Sequence, residues 1–281
     1  MPPVVTEAIV LHAFDYLETS RIVRLATRDA GLQSVIAKGA RRARSKYGSA
    51  LDLFAEGTAE IHVRANRELQ TLGSFDVARS RAPLGADLGR FAAASALAEL
   101  MLRFTREEIN EALFDAFSSA LDALALAAPG HAREAGLAGA WRIVGALGFA
   151  PSLDVCGTCH EEIPVGLPAL FSHPAGGVLC ARCASRVRGS RTLPANARAT
   201  LRGWLANDDR PYSLGATEGR AHQRLLREFL AEHLSDGRRL GAFDVWEGDF
   251  ATPPLPKVAP SHPLETDLPV SDLAIPNIRQ T

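Results

Sequence analysis

The sequence predicts an α+β protein, with a five-stranded barrel at the N-terminus followed by an α-helical bundle domain that carries an inserted four-cysteine segment. Three observations predict this arrangement. Short β-branched runs with turn signals fill residues 4–78, alanine-rich runs with helical spacing fill residues 87–148, and all 4 cysteines lie between residues 156 and 183. The composition is that of a globular chain, because 47% of the 281 residues are hydrophobic and 22% are charged.

The N-terminal domain is predicted over residues 1–80 and contains five short strands. The predicted strands are Val4–Leu11, Ile22–Thr27, Gln33–Lys38, Ala59–Val63 and Leu69–Leu72. Several of them alternate polar and apolar residues, and a tight turn separates the second from the third. Five strands of this length favour a small closed barrel, since closure leaves no exposed sheet edge.

The second domain is predicted over residues 81–246 and is helical. Apolar residues recur at helical spacing in three runs, and Pro129-Gly130 separates the second run from the third. Gly148 follows the third run, as expected of a residue that ends a helix. Two further helices, Ala195–Ala206 and Thr217–Leu234, are expected to pack on the earlier ones as a single bundle.

Residues 247–281 are predicted to form a disordered or loosely attached tail. This segment contains seven prolines, and five acidic residues against two basic ones. It shows little hydrophobic periodicity, so no helix or strand is predicted there.

The four cysteines form two Cys-x2-Cys pairs, Cys156 with Cys159 and Cys180 with Cys183, separated by 20 residues. Each pair presents two thiolates from one turn, and two such turns complete a tetrahedron around Zn²⁺. The residues between the pairs predict a hairpin, as in a zinc ribbon over about residues 153–187. Four sulfur ligands leave no open coordination position, so one Zn²⁺ at this site would be structural.

Two other interpretations of the cysteines remain open, namely a pair of redox dithiols or cysteines with no shared role. A redox Cys-x2-Cys is expected at a helix N-terminus beside a βαβ pattern, and neither pair lies in such a pattern. Clustering in a chain without a secretory signal also favours a metal over a disulfide.

Positive charge is concentrated after the third predicted strand. Residues 21–46 contain eight basic side chains against one acid, although the net charge of the whole chain is −1. Lys and Arg in a loop can follow a phosphate backbone without reading bases. The candidate nucleic-acid-binding residues are Lys38, Arg41, Arg42, Arg44 and Lys46 in the loop, with Arg21 and Arg24 extending the surface and Tyr47 beside it. The alternative is a solvated charged loop.

Tyr47 is the preferred candidate for stacking on a base because it adjoins the basic run. Phe14 and Tyr16 are the other candidates, whereas Phe54 and Phe75 are expected in the core.

Several function classes lack their sequence motifs here. The chain contains no phosphate-binding loop, dinucleotide-binding glycine motif, zinc-protease motif or nucleophile elbow. We therefore expect no enzymatic activity. It also contains no apolar run of about 18 residues and no secretory signal, so a cytoplasmic protein is expected.

Four stretches of the sequence resemble the RecO family of bacterial DNA repair proteins, and together they span about residues 4–246. They are Ala8-Ile9-Val10-Leu11 with Glu18; Thr27-x3-Gly31 followed by Lys38-Gly39-Ala40-Arg41-Arg42 and Ser45; Gly148-Phe149-Ala150-Pro151-x-Leu153-Asp154-x-Cys156; and Gly176-Gly177-x-Leu179-Cys180-x2-Cys183. The resemblance does not include the tail.

The resemblance implies that the barrel is an OB-fold and that the protein is a recombination mediator in DNA repair, associated with the nucleoid. Members bind single- and double-stranded DNA. They anneal complementary strands coated with single-strand-binding protein (SSB) without ATP, and act with RecR to promote RecA loading. The resemblance also implies a pocket in the helical domain for the acidic C-terminus of SSB. Arg90, Arg103 and Arg106 are candidate partner-binding residues. Because the chain keeps all four cysteines, the resemblance implies bound zinc.

A second hypothesis is a zinc-ribbon scaffold of a repair complex with incidental DNA affinity. Charge-neutral replacement of Arg41, Arg42 and Arg44 separates the two hypotheses, because a scaffold would keep its partners and its DNA affinity. A zinc enzyme is the third hypothesis, and four thiolates disfavour it because water has no ligand position.

Overall fold

The computed structural model describes residues 3–64, 67–105, 108–208, 213–234 and 238–248. Five strands close into a barrel: β1 (Val4–Tyr16), β2 (Ser20–Thr27), β3 (Gly31–Ala37), β4 (Glu56–His62) and β5 (Gln70–Arg79). Their order around the barrel is β1-β2-β3-β5-β4, with β1 antiparallel to β4 and β3 parallel to β5. This OB-like barrel confirms the predicted N-terminal fold.

Side-chain alternation gives β1 two buried faces. Ala8 and Val10 point into the barrel, where they join the buried cluster that includes Val23 and Leu25 of β2. Ile9 and Leu11 belong instead to the core of the helices, and the pairing of β1 with β2 has a bulge at Leu11. The barrel therefore packs on the helical part through its first strand.

Four helices follow the barrel: α1 (Ala82–Gly85), α2 (Leu88–Phe104), α3 (Glu111–Leu126) and α4 (Ala132–Ala146). The side chain of Asp87 caps α2 by accepting from the backbone N–H of Arg90 at 2.8 Å. Asn110 caps α3 in the same way, accepting from Leu113 at 2.9 Å. Helices α2, α3 and α4 confirm the three predicted apolar runs, whereas α1 was not predicted.

Helix α4 ends at the predicted glycine. Gly148 has a φ of +89°, a conformation that favours glycine because it has no Cβ. Its N–H donates to the carbonyl of Gly145 at 2.9 Å, and Phe149 N–H donates to that of Val144 at 3.0 Å. The pair of bonds satisfies the last carbonyls of α4 and turns the chain into the cysteine segment.

The cysteine segment lies between α4 and the next long helix. It contains a three-stranded antiparallel sheet of β6 (Ala169–Ser172), β7 (Gly177–Leu179) and β8 (Arg191–Leu193), in the order β7-β6-β8, and the short helix α5 (Ala181–Ala184). The hairpin of β6 and β7 confirms the sequence prediction, whereas β8 and α5 were not predicted.

Three helices complete the described fold: α6 (Ala195–Leu205), α7 (Ala216–His233) and α8 (Gly241–Glu247). Helix α8 was not predicted. The carboxylate of Glu99 on α2 accepts the N–H groups of Gly241 and Ala242, both at 2.9 Å. No helix in the described ranges is long and apolar enough to cross a membrane.

The predicted tail begins inside α8, since Glu247 is the last residue of that helix. Trp246 is buried against Gly136 of α4, where a Cβ would lie 2.8 Å from the indole. The remainder of the predicted tail, residues 249–281, lies outside the described residues.

Arg81 joins the barrel to the helices. Its side chain is 1% exposed and donates to Glu56 of β4 at 2.7 Å and to Asp122 of α3 at 2.8 Å. It also donates to the Phe54 carbonyl at 3.0 Å and to the Ser118 hydroxyl at 2.9 Å. One buried guanidinium thus bonds to groups on both sides of the junction.

Candidate nucleic-acid interface and metal centre

The sulfur atoms of Cys156, Cys159, Cys180 and Cys183 lie within 4.8 Å of one another. The Sγ atoms of Cys159 and Cys180 are 3.7 Å apart. In a regular tetrahedron with Zn–S bonds of about 2.3 Å, the sulfur atoms are about 3.8 Å apart. The four cysteines are therefore close enough to hold a metal ion of that size.

Local backbone geometry brings the first cysteine pair to the site. The N–H of His160 donates to the carbonyl of Cys156 at 2.9 Å, and His160 takes a positive φ of 60°, which folds the pair into a tight turn. Gly157 allows this turn to approach the β6–β7 hairpin, because a Cβ there would lie 2.4 Å from the Ala175 carbonyl oxygen. Cys180 and Cys183 flank the first turn of α5.

The electrostatics of the cluster fit a cation. Burial raises the pKa of the Cys156 thiol, but backbone N–H groups, first that of Cys180, outweigh burial and lower it to about 6. The Cys183 pKa is raised to about 12, chiefly by its hydrogen bond with Cys159 and by burial. Thiols this close oppose each other's ionisation, and a divalent cation among them would remove that opposition.

The basic segment, residues 38–46, forms the first half of the connection from β3 to β4 on the barrel. It folds as successive turns, in which Arg42 N–H donates to Gly39 and Ser45 N–H donates to Arg42. Arg41 N–H donates to the Thr19 carbonyl at 3.0 Å, so the segment lies against the turn between β1 and β2.

Two of the candidate DNA-binding arginines are held by protein groups. Arg41 pairs with Asp15 at 3.2 Å, and it donates to the carbonyls of Leu17 and Glu18 at 3.3 Å. Arg21 pairs with the same carboxylate at 3.3 Å. These contacts fasten the basic segment to the end of β1.

The other basic residues of the segment are more available. Lys38, Arg42 and Arg44 are exposed, and none has an ion-pair partner among the described residues. Lys46 donates to the Gly73 carbonyl and lies 5.1 Å from the centre of the Tyr47 ring. The charged groups of Lys38, Arg42 and Arg44 therefore face solvent. They lie beside the end of the barrel where Arg41 and Arg21 pair with Asp15.

The structure contradicts a stacking role for Tyr47. The residue is 4% exposed within the barrel core, and its hydroxyl donates to the Leu72 carbonyl at 2.7 Å. A ring packed on all sides has no face for a base. Phe54 and Phe75 are also buried, as predicted.

Two exposed aromatic residues lie instead on the outer face of β1. Phe14 is 44% exposed and Tyr16 is 37% exposed. Phe14 pairs across the sheet with Ile22, and its ring lies 5.6 Å from that of His12. Arg24 lies on the same face opposite His12, and its Nε is buried with no hydrogen-bond partner among the described residues. This face adjoins the turn that contacts Arg41.

The candidate partner-binding arginines have other contacts. Arg90 donates to the carbonyls of Ala125 and Ala127 at the end of α3. Arg103 donates to the carbonyls of Arg238 and Arg239, before α8. Arg106 lies outside the described residues.

Comparisons with known proteins agree across both halves of the chain. The family model "Recombination protein O N terminal" matches residues 1–81, and "Recombination protein O C terminal" matches residues 85–240. The DNA repair protein RecO of Anaeromyxobacter sp. strain K is 38% identical over 242 residues, covering 83% of this chain and 92% of the relative.

More distant relatives carry the same name. The DNA repair protein RecO of Rubrobacter xylanophilus is 34% identical over 180 residues, covering 64% of this chain and 71% of the relative. That of Nocardioides sp. is 30% identical over 243 residues, covering 84% of this chain and 97% of the relative. The chain belongs to the RecO family of DNA repair proteins.

Proposed function

We propose that this chain is a recombination mediator that binds single- and double-stranded DNA and anneals complementary SSB-coated strands without ATP. With RecR, it promotes RecA loading. The observation that carries the proposal is the exposed cationic surface of Lys38, Arg42 and Arg44, fixed to an OB-like barrel by Arg41. Membership in a DNA repair family supports it.

Annealing is a matter of electrostatics and positioning, and it needs no covalent step. Two strands repel each other through their phosphates, and bound cations lower that repulsion. The basic segment would hold the backbone of one strand, while Phe14 and Tyr16 would stack on its bases beside it. Arg21, Arg24 and Lys46 would extend the cationic surface.

Only some of the basic side chains on the barrel are available to DNA, because Arg21 and Arg41 pair with Asp15. The chain would therefore depend on protein partners to recruit it to DNA. If about five phosphates are neutralised, the logarithm of affinity falls with that of salt concentration at a slope near −3.5 for single strands. Binding by this surface alone would then be weak at physiological salt. We propose that RecR and the SSB C-terminus supply the recruitment, at the nucleoid in the cytoplasm.

We also propose that Cys156, Cys159, Cys180 and Cys183 hold one structural Zn²⁺. When bound, zinc would cross-link the two cysteine turns, and its four sulfur ligands would leave no position for water. The proposed division is a DNA-binding domain over residues 1–80, a helical domain over residues 81–246 with the zinc ribbon at about 153–187, and a tail.

The test is ATP-free annealing of two complementary oligonucleotides, each coated with the cognate SSB. The native chain is compared with a triple variant, Lys38→Glu, Arg42→Glu and Arg44→Glu. Arg41 is left unchanged because it holds the β1–β2 turn. We expect rapid annealing by the native chain and at least a tenfold lower rate with the variant.

A control variant replaces Arg186 and Arg188, two exposed arginines of the cysteine segment, with Glu. It should anneal at the native rate. Absence of annealing by the folded, zinc-loaded native chain would contradict the mediator proposal. Survival of RecR binding with unchanged DNA affinity in the triple variant would favour a scaffold.

A further inference from the structure

We propose that Leu17, at the tip of the turn between β1 and β2, is an apolar wedge that enters between two bases of DNA and opens short intrastrand stems. The inference rests on the proposed function and deepens it, because it names the structured single strands that annealing must open. The turn consists of residues 17–19, between Tyr16 of β1 and Ser20 of β2, which pair with each other.

The backbone of Leu17 has a conformation that leucine rarely adopts. Its φ is +51°, in the left-handed region, where the Cβ of most residues crowds the backbone. Glycine adopts this conformation without that crowding, and asparagine is the other residue commonly found there. Leucine at this position therefore costs stability that either of those residues would avoid.

The side chain of Leu17 gains little burial that would offset this strain. Phe54 also has a positive φ, of 66°, but its ring packs in the core and is only 2% exposed. Leu17 is 73% exposed. Backbone strain without a packing gain is typical of positions that serve a function. An apolar side chain presented to solvent in this way indicates a contact with another molecule.

The strained turn is fixed by its neighbours. The guanidinium of Arg41 donates to the carbonyls of Leu17 and Glu18, both at 3.3 Å, and pairs with Asp15 at 3.2 Å. The backbone N–H of Arg41 donates to the Thr19 carbonyl at 3.0 Å. A side chain presented from a fixed turn loses less conformational entropy on binding than one on a mobile loop.

The surroundings of Leu17 favour DNA as the molecule that it contacts. The exposed cations Arg42 and Arg44 belong to the basic segment, which lies against this turn, and Phe14 and Tyr16 are exposed on the adjoining end of β1. Cations of this kind bind phosphates, and exposed aromatic rings stack on bases. A strand held by these groups therefore passes beside the tip of the turn.

The tip itself is suited to bases rather than to phosphates. Glu18, next to Leu17, is exposed and carries a negative charge, which repels a phosphate group. Leucine is among the apolar residues that DNA-binding proteins insert between base steps, where the side chain partly unstacks the bases. The tip thus combines an apolar side chain that can enter a base stack with a charge that turns the backbone away.

Opening of stems matters for annealing because a strand that pairs with itself is not available to its complement. Insertion of Leu17 at the end of a stem would unstack the last base pair, and the complementary strand would then replace the lost pairs. The new duplex contains more base pairs than the stem, so the exchange needs no ATP. Leu17 would therefore extend annealing from unstructured strands to structured ones.

The first test is the fluorescence of 2-aminopurine at the end of a hairpin stem, recorded with saturating full-length protein. This base becomes brighter when it unstacks. We expect the native chain to raise the fluorescence by about twofold or more, and Leu17→Asn to produce less than about half of that rise. Asparagine tolerates a left-handed φ, so this variant should unfold at a urea concentration no lower than that of the native chain.

Two further variants act as controls. Leu17→Met keeps an apolar side chain at the tip and should produce the native rise in fluorescence. Leu126→Asn changes another leucine, 85% exposed at the end of α3 in the helical part, and should also behave as the native chain does.

The second test compares annealing rates for two pairs of uncoated oligonucleotides of equal length, one unstructured and one that forms a short stem. We expect Leu17→Asn to anneal the unstructured pair at the native rate and the stem-forming pair about fivefold more slowly or less. Leu126→Asn should anneal both pairs at the native rate.

Unchanged fluorescence when the native chain is added to the hairpin, or an equal rise with the native chain and Leu17→Asn, would overturn the proposal. An equal rise accompanied by loss of RecR binding in Leu17→Asn would also overturn it, because Leu17 would then contact protein. Failure of the native chain to anneal the unstructured pair would instead contradict the proposed function, so the two failures are distinguishable.

Discussion

At the scale of single residues, burial decides which aromatic side chain can meet a base. Tyr47 adjoins the basic run in sequence, yet its ring lies in the barrel core, whereas Phe14 on β1 is exposed. The sequence favours Tyr47 for stacking on a base only because it adjoins the basic residues 38–46. Strand alternation puts Phe14 on the outside of β1. Tyr47 lies in the connection between β3 and β4, which folds over the barrel so that its hydroxyl bonds to Leu72 of β5, and no short stretch of sequence specifies that contact.

Replacing Phe14 and Tyr16 with Ala should weaken single-stranded DNA binding by about 1–3 kcal/mol for each base that loses a stacking partner. Tyr47→Phe is the comparison, because it removes only the hydroxyl and its bonds to the Leu72 and Gly73 carbonyls. It should lower the free energy of unfolding by about 1 kcal/mol and leave DNA affinity unchanged. Fluorescence anisotropy and urea unfolding measure the two quantities. Equal DNA affinity in the double variant and the native chain would refute the stacking role.

At the scale of elements, the cysteine segment was the most predictable part of the chain. The spacing of Cys156, Cys159, Cys180 and Cys183 is a local signal, and so is the hairpin between the pairs. The sequence analysis does not predict the short elements α1, β8, α5 and α8, because three to seven residues carry too little periodicity. Helix α8 forms through tertiary contacts, with Trp246 on Gly136 and Glu99 at its first N–H groups.

Removing metal should unfold this segment selectively. The only fully apolar residue buried in the described cluster around the cysteines is Leu179, with Ile163, Ala175, Ala184 and Val187 partly buried, so we expect the segment to depend on the proposed metal for its stability. A strong chelator, or Cys156→Ser, should speed amide exchange over residues 153–187 while α2–α4 stay protected. Metal content per chain is measured alongside. Unchanged exchange after complete loss of metal would show that the ion does not hold the segment.

At the scale of the whole molecule, a few buried polar contacts join the barrel to the helices. Arg81 meets partners 25 to 41 positions away in sequence, Glu56 on β4 and Asp122 on α3. Arg28, which is partly exposed, also bridges Glu7 on β1 and Asp115 on α3. The sequence predicts both the barrel and the helices. Ion pairs between residues 25 or more positions apart in sequence, however, depend on how the barrel and the helices dock. This network and the roles of Arg90 and Arg103 were therefore not predicted.

The Glu56 carboxylate makes this junction sensitive to acid. Burial raises its pKa, but hydrogen bonds from Ser118 and Arg81 outweigh burial and lower the pKa below its ordinary value of 4.5. Its contribution to stability is therefore fully present above about pH 4.5, and is lost as the pH falls through the lowered folded-state value.

Glu56→Gln should lower the free energy of unfolding at pH 7 by about 3 kcal/mol, because Arg81 loses a buried charge partner. The variant should also lose less stability than the native chain between pH 5 and 3. Urea unfolding across this range measures both effects. Parallel pH curves for the two proteins would show that Glu56 does not titrate with unfolding.

In the proposed function, exposed cations on the barrel hold the phosphate backbone, and the salt dependence of single-stranded DNA affinity measures that contact. Arg42→Gln with Arg44→Gln is compared with the native chain and with the matched double variant Arg186→Gln, Arg188→Gln, which has the same net charge. Each lost phosphate contact should reduce the slope of log affinity against log salt by about 0.7, so the barrel variant should lose about 1.4 and the control nothing. A native slope in the barrel variant, or an equal loss in the control, would contradict the claim.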